Sequence, residues 1–260
     1  MNTETRVVAS GTVDRLHWRA YTDRTIMGAT AATYVEGLIA ATLARQNSVR
    51  MIFSAAPSQD ELLAGLAASP VIDWSRITAF HMDEYLGIAP DAPQGFGQFL
   101  RTRLFAKVPL AAVHYLDVAT ENAEEECERY GKLLSEAPID LCCLGVGENG
   151  HLAFNDPPVA DFSDPRIVKI VPLDPICRRQ QVHDGCFHSM EEVPTHAMTL
   201  TIPTLMSARH LVCVVPATTK RAAIRRLITD PVISTEVPAT AMRRHPSATL
   251  FLDRDSYDIG

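Results

Sequence analysis

The chain of 260 residues has six cysteines, at 127, 142, 143, 177, 186 and 213, and no CxxC pair among them. No zinc site and no disulfide framework is indicated, because both need cysteines in paired spacing. A Cys inside an apolar run, as at 142 and 143, behaves as a small hydrophobe. Positive charge is also short: 24 Lys and Arg against 31 Asp and Glu leave a net charge of −7. Counterion release on a nucleic acid needs clustered cations. The pairs Arg178-Arg179, Arg225-Arg226 and Arg243-Arg244 are too scattered for that, so no nucleic-acid partner is expected. No stretch approaches the ~20 uninterrupted apolar residues of a membrane span. The opening MNTETRVVASGTVDR lacks the continuous apolar core of a secretory signal. The expectation is a soluble, cytoplasmic protein without a membrane partner. No Ser/Gly-rich linker or low-complexity run divides the chain, so residues 1–260 are read as a single domain. A P-loop and a GxSxG elbow are both absent, which removes the simplest support for phosphoryl transfer from ATP and for serine hydrolysis.

What the chain does contain is alternation. Residues 25–45 are Ala-rich with apolar residues at helical spacing and predict a long helix. Strands are predicted at 48–54, 77–81, 113–116, 139–146, 167–171, 197–202, 211–215 and 249–252. Helices are predicted at 58–68, where a capping Ser58 precedes acids in the first turn, and at 95–105, 122–135, 175–182, 218–227 and from Pro238. Strands alternating with helices of this length mean parallel βαβ units. The fold class is α/β: a doubly wound, mostly parallel sheet with helices on both faces, Rossmann-like.

The segment from Ile139 to Pro158 carries the densest chemistry. Six apolar residues in the eight positions Ile139 to Val146 suit a strand covered on both faces. Gly145, Gly147 and Gly150 follow, then His151, Asn155 and Asp156. The glycines fit G-x-G-x-x-G, but Pro157-Pro158 arrives seven residues after Gly150 and leaves no room for the helix of a dinucleotide site. His151, at a strand end with Asn149 and Asp156 near in sequence, is a candidate for moving protons in both directions. No three-ligand metal set is spaced around it. Asp83-Glu84 lies at the end of another strand, and a continuing pleat lets only one of the two carboxylates face a site shared with His151. The common alternative is an acidic pair opening a solvated loop. Ser54-Ala55-Ala56-Pro57-Ser58 joins a strand to a helix and forms a fair anion cradle, to which Lys220 could add a cation. Each also reads as an ordinary cap and a surface lysine.

The two segments Phe80-His81-Met82-Asp83-Glu84-Tyr85-Leu86-Gly87 and Leu144 to Pro157, in that order, resemble the glucosamine-6-phosphate deaminase family within the group that includes 6-phosphogluconolactonases. The likeness runs through Val193-Pro194, residues 197–202, Lys220 and residues 250–253, nearly the whole chain from Ile26. It implies cofactor-free, metal-free conversion of glucosamine 6-phosphate to fructose 6-phosphate and ammonia. Asp83 would be the base that carries the C2 proton to C1. His151 would open the pyranose ring, steered by Asn149 and Asp156, and Lys220 would bind the phosphate beside Ser54 and Ser58.

Departures from the family pattern are equally specific. Asn149 stands where many members have Asp, and Asp156 where Glu is usual. The loop Ser54-Ala55-Ala56-Pro57 replaces a Gly-Gly-Thr-Pro type segment. Asp184 falls near the family's phosphate arginine, which leaves Arg178 or Arg179 to substitute. The alternatives are a lactonase or other phosphosugar hydrolase, and a sugar-phosphate-binding regulator without catalysis. The sequence leaves oligomeric state open and is compatible with a homo-oligomer. The short run after the last strand, unlike the extension of longer hexameric relatives, speaks against allosteric control.

Overall fold

The computed structural model describes residues 7–257. It opens with two strands outside the expected elements, β1 (Val7–Val13) and β2 (Leu16–Tyr21), paired as an antiparallel hairpin; β2 alternates buried Leu16, Trp18 and Ala20 with exposed His17 and Arg19. Residues of β1 are exposed or half-buried throughout, so no buried stripe marks it in the sequence. The predicted long helix is α1 (Arg24–Leu43), whose start is fixed by Asp23 accepting from the Ile26 N–H at 2.9 Å. By length and composition α1 could cross a membrane, with mean hydropathy 1.3. Its buried residues Met27, Ala31, Val35 and Ile39 instead belong to the core, where α1 lies against the sheet and α2 (Asp60–Ala67).

The remaining order is β3 (Val49–Phe53) before α2, then β4 (Ile77–His81), β5 (Asp83–Tyr85), α3 (Phe96–Leu100) and β6 (Ala112–His114). Next come α4 (Ala123–Ser135), β7 (Leu141–Leu144), β8 (Val168–Pro172), α5 (Pro175–His183) and β9 (His196–Leu200). The chain continues through α6 (Ile202–Met206), β10 (His210–Val215), α7 (Arg221–Thr229) and β11 (Ala248–Asp253). Helix α6 is an addition to the expected elements: Thr201 caps it through the Thr204 N–H and Pro203 sits in its first turn, so the strand expected over 197–202 stops at Leu200. Ser58 is not the cap of α2. It lies inside a 3-10 turn, Pro57–Gln59, that leads into the helix, while the acids Asp60 and Glu61 do occupy its first turn.

Eight strands form the main sheet in the order β1-β2-β11-β10-β7-β3-β4-β6, and every pairing except β1 with β2 is parallel. Pleating sends successive side chains to opposite faces. Met51 and Phe53 join Val212, Val214 and α1 on one face; Ile52 joins Leu211, Cys213, α4 and α7 on the other. The doubly wound class is therefore observed. Two strands expected in parallel units, β8 and β9, depart from it: they pair antiparallel with each other, and β9 pairs antiparallel with β5 in a second, three-stranded sheet. The connection between them is a short helix and a long return loop, 184–195, which brings the chain back antiparallel beside β8.

Two topological facts place the site. From β3 the chain winds outward through β4 to β6, then returns to β7 on the other side of β3 and winds outward again through β10 to β11. The crevice at such a reversal, beyond the carboxyl ends of β3 and β7, is where open α/β sheets bind ligands. After β4 the chain also changes sheets at Met82, whose carbonyl accepts from Leu200 N–H at 2.9 Å, so that β5 leans over the same crevice.

Beyond β10, Ala217 adopts φ 83° and ψ 150°, a region that side-chain-bearing residues almost never occupy. The Asp253 carboxylate holds it there, accepting from the Ala217 N–H at 3.1 and 3.2 Å. Ala217→Gly should remove strain of order 1–3 kcal/mol at the entropic cost of a glycine, ~0.5–1 kcal/mol. A rise in urea unfolding midpoint equivalent to about 1 kcal/mol is expected, and no rise would show that the backbone at 217 is relaxed.

Candidate active site

At this crevice lies a cavity of about 480 Å³. Its walls include the loop after β3 (Ser54 to Ser58), Asp83 of β5, Gly145 to Gly147 and His151 after β7, and Lys220 after β10. Four segments that are remote in sequence thus meet at the carboxyl ends of the strands.

His151 is placed by its glycines. A Cβ on Gly147 would fall 2.1 Å from the imidazole, so only glycine lets the ring fold back over the turn. Gly150 has φ +86°, a conformation open to glycine at no steric cost. The ring's Nδ1 is 2.8 Å from Asp156 Oδ1, and Asp156 is fully buried. The shorter aspartate therefore does reach His151. Burial works to raise the Asp156 pKa, but the neighbouring imidazole and the Asn149 amide hold it below the ordinary carboxylate range. Asn149 contributes differently from the expected ring partner. Its amide Nδ2 donates to Asp156 Oδ1 at 2.8 Å, and its Oδ1 accepts from the backbone N–H of His151 at 3.1 Å. It positions the carboxylate and the turn, and among the described residues no hydrogen bond joins it to the ring nitrogens. Asn155, which sequence reasoning left without a role, donates to the carbonyls of Leu152 and Leu200 at 2.9 and 2.8 Å and ties this loop to β9.

Asp83 and Glu84 are both buried, so they do not begin a solvated loop. As the pleat requires, they face apart: Asp83 lines the cavity, while Glu84 points under α3. Glu84 accepts from the N–H groups of Tyr85, Phe96 and Gly97 at 3.0, 3.0 and 2.8 Å, and stands 3.5 Å from His81 Nε2. Burial opposes its charge, but His81 and the backbone donors outweigh burial and keep its pKa low. Asp83 has no such donors among the described residues. Burial, and then the charge of Glu84, push its pKa well above that of a free aspartate. Two adjacent carboxylates are thus driven apart, one pinned as an anion and one made a stronger base.

Lys220 is also buried, and among the described residues its Nζ has no hydrogen-bond partner. Burial lowers its pKa, partly offset by Asp184 and Glu148. A buried ammonium without a hydrogen-bond acceptor is costly, and this one faces the cavity. Ser54 and Ser58 line the same end. Arg178 does not. Its guanidinium is bound to the carbonyl oxygens of Met190 and Val193, where it fastens the loop after α5, so it cannot replace the family's phosphate arginine. Two other arginines line the cavity, Arg24 and Arg103. Both are engaged: Arg24 binds Glu61 bidentately at 2.6 and 2.8 Å and the Pro57 carbonyl at 2.9 Å, and Arg103 binds Asp60 at 2.7 Å. Sequence reasoning missed them because neither belongs to a motif. Asp184 lines the cavity as well, a negative charge on the wall near Lys220.

A parallel sheet with a base, a His–Asp pair and a buried lysine at its switch point is the constellation of an α/β enzyme that moves protons on a small anionic substrate. The family profile of glucosamine-6-phosphate isomerases/6-phosphogluconolactonase matches residues 22–251, and the chain belongs to that family. It is 34% identical to a glucosamine-6-phosphate deaminase of Exiguobacterium sp. over 70% of this chain and 69% of that protein. A deaminase of Lactobacillus delbrueckii subsp. bulgaricus is 32% identical over 75% of this chain and 80% of its own. In fold, the chain superposes with TM-score 0.85 on a monomeric glucosamine-6-phosphate deaminase, at 23% identity over 95% of this chain and 100% of the other. A 6-phosphogluconolactonase from Thermotoga maritima gives 0.74 at 18% identity, over 94% and 100%.

The burial of Asp83 has a thermodynamic consequence. A carboxyl whose folded pKa is raised binds its proton more tightly in the folded state, so its contribution to stability is lost as pH rises above the unfolded value of ~4 towards the folded one. Asp83→Asn should therefore raise the melting temperature at pH 7 to 8, and the gain should shrink and vanish as pH falls below ~4. A variant less stable than wild type at neutral pH would overturn the assignment of Asp83 as a strained, uncompensated charge.

Proposed function

We propose that the chain converts glucosamine 6-phosphate to fructose 6-phosphate and ammonia in the cytoplasm, without a cofactor. What supports this reading most is the meeting of two separate proton-transfer groups, Asp83 and the His151–Asp156 pair, in one cavity whose third wall carries Lys220 with no protein partner. An isomerisation needs two such groups, because ring opening and enolisation move protons at different atoms.

Lys220, the hydroxyls of Ser54 and Ser58 and the backbone of the loop between them take the phosphate. With Nδ1 held by Asp156, His151 presents Nε2 to the sugar, removes the anomeric hydroxyl proton and returns a proton to the ring oxygen as the pyranose opens. Asp83 then takes the C2 proton and delivers it to C1, while the C1 oxygen gains the proton given up by the substrate's ammonium, leaving an imine at C2 and a hydroxyl at C1. Water adds there and ammonia leaves. Asp83 suits the step because burial strengthens it as a base, and Glu84 keeps the second carboxylate from competing for the proton.

The discriminating measurement is ammonia release from glucosamine 6-phosphate, run beside hydrolysis of 6-phosphogluconolactone. Ammonia release with no lactone hydrolysis is expected. Lactone hydrolysis alone would assign the chain to the other activity in the family's description, and activity on neither would make it a sugar-phosphate binder. With the deaminase, His151→Gln should lower kcat by about 10²–10⁴-fold, while Asp83→Asn should stop exchange of the C2 proton with solvent and leave substrate binding in place. Lys220→Ala should raise KM by about 10–100-fold, the equivalent of a charged hydrogen bond worth ~1.5–3 kcal/mol. An unchanged KM would remove Lys220 from the phosphate site.

A further inference from the structure

Behind His151, on the side away from the sugar, a third ligand-type side chain completes a cluster that proton transfer does not use. Cys177, in the first turn of α5 and fully buried, brings its Sγ within 4.8 Å of a His151 ring nitrogen and an Asp156 carboxylate oxygen, and the three atoms are mutually that close; Nδ1 is the nitrogen that faces Asp156, at 2.8 Å. Asp156 Oδ1 is already shared by Asn149 and His151; among the described residues Oδ2 is buried with no well-formed hydrogen bond, and the Cys177 thiol and the Asp174 backbone stand close to the carboxylate. A charged oxygen so placed, beside a thiol and an imidazole nitrogen, calls for a cation or a proton. From this the geometry points to an inhibitory site for a zinc-class divalent cation, held by His151 Nδ1, Asp156 and Cys177.

Each donor is of a type zinc binds, one imidazole nitrogen, one carboxylate oxygen and one sulfur, and three protein ligands leave a fourth position for water. Bond lengths of about 2.0–2.3 Å put tetrahedral ligand atoms roughly 3.2–3.8 Å apart, so the 2.8 Å edge between His151 Nδ1 and Asp156 Oδ1 must open slightly, or Oδ2 replace Oδ1, while the sulfur closes in from within 4.8 Å. Without metal the thiol stays protonated, because burial and the Asp156 charge oppose its ionisation. When the cation binds, the Cys177 proton leaves to solvent and sulfur joins as thiolate. Coordination at Nδ1 confines the ring proton of neutral His151 to Nε2, where the imidazole can donate but no longer accept. Loss of the two-way proton transfer rests on the proposed deaminase reading; the binding itself does not.

The test therefore reads binding and activity separately. Titrating the metal-free full chain with Co²⁺ should give a thiolate-to-cobalt charge-transfer band saturating at one equivalent. The band should be lost in Cys177→Ser and kept in Cys186→Ser. Zn²⁺ should displace the cobalt and inhibit turnover, a chelator should restore it, and Cys177→Ser should need at least tenfold more zinc for the same inhibition. Should Cys177→Ser not fold, zinc-edge X-ray absorption of the wild-type protein should find a single sulfur at about 2.3 Å. Absence of the charge-transfer band, its survival in Cys177→Ser, or a zinc shell without sulfur would overturn the site. A band in a protein that releases no ammonia would keep the metal site and sink the deaminase.

Discussion

The site depends on one point of divergence. Strands β3 and β7 run side by side as far as Phe53 and Cys143, and the Ser54 N–H bonds to the Cys143 carbonyl at 2.9 Å. Past that bond the two chains separate, one turning into the Ser54 to Ser58 loop and the other into the Gly145 turn. Everything that lines the cavity is referenced to this bond. Gln59, buried at the end of the 3-10 turn, extends the same anchoring by donating to the Val214 carbonyl of β10 at 3.2 Å, so the anion loop is registered against the strand that leads to Lys220.

Around that divergence the protein holds several charged side chains almost fully buried. Glu84 and Asp156 are stabilised anions that accept hydrogen bonds, while among the described residues Asp83 is buried with no donor and Lys220 with no acceptor. The contrast divides the site by role. Groups with donors hold geometry, because a satisfied buried polar network is rigid; groups without partners carry a free-energy cost that only a substrate can relieve. Glu84 joins the two roles, since the backbone bonds that brace the start of α3 also fix the negative charge that makes Asp83 more basic.

Much of the fold was legible because buried parallel strands are continuous apolar runs, as at Met51 to Phe53 and Leu141 to Leu144, and because helix starts such as Asn122 and Asp174 carry capping side chains. The hairpin β1–β2 was not, since its first strand is solvated and its apolar residues have no buried stripe to trace. The antiparallel pairing of β8 with β9 was hidden for a different reason: period and propensity identify a strand but carry no sign for its direction. In the site, residues inside motifs came together as expected, with Asp83, His151, Asp156 and Lys220 near one cavity. Arg178 did not, because an arginine's long side chain can as readily reach two backbone carbonyls as a ligand, and composition cannot tell which.

The anion end of the cavity shows how a changed loop and a missing arginine can be accommodated together. Of the three Lys and Arg residues lining the cavity, Arg24 and Arg103 already carry the acids of the first turn of α2, Glu61 and Asp60. Their role is to brace that helix and its preceding turn, and little of their charge is left for a ligand. Asp184 subtracts further. The net attraction therefore falls on Lys220, which makes its placement more critical than in a site with a second free cation. That placement comes from Ala217, held in a strained conformation by Asp253 from the neighbouring strand, three residues before the lysine. Under the proposed function, that fixed backbone sets where a single ammonium meets the phosphate of the substrate, so its aim counts for more than the number of cations lining the cavity.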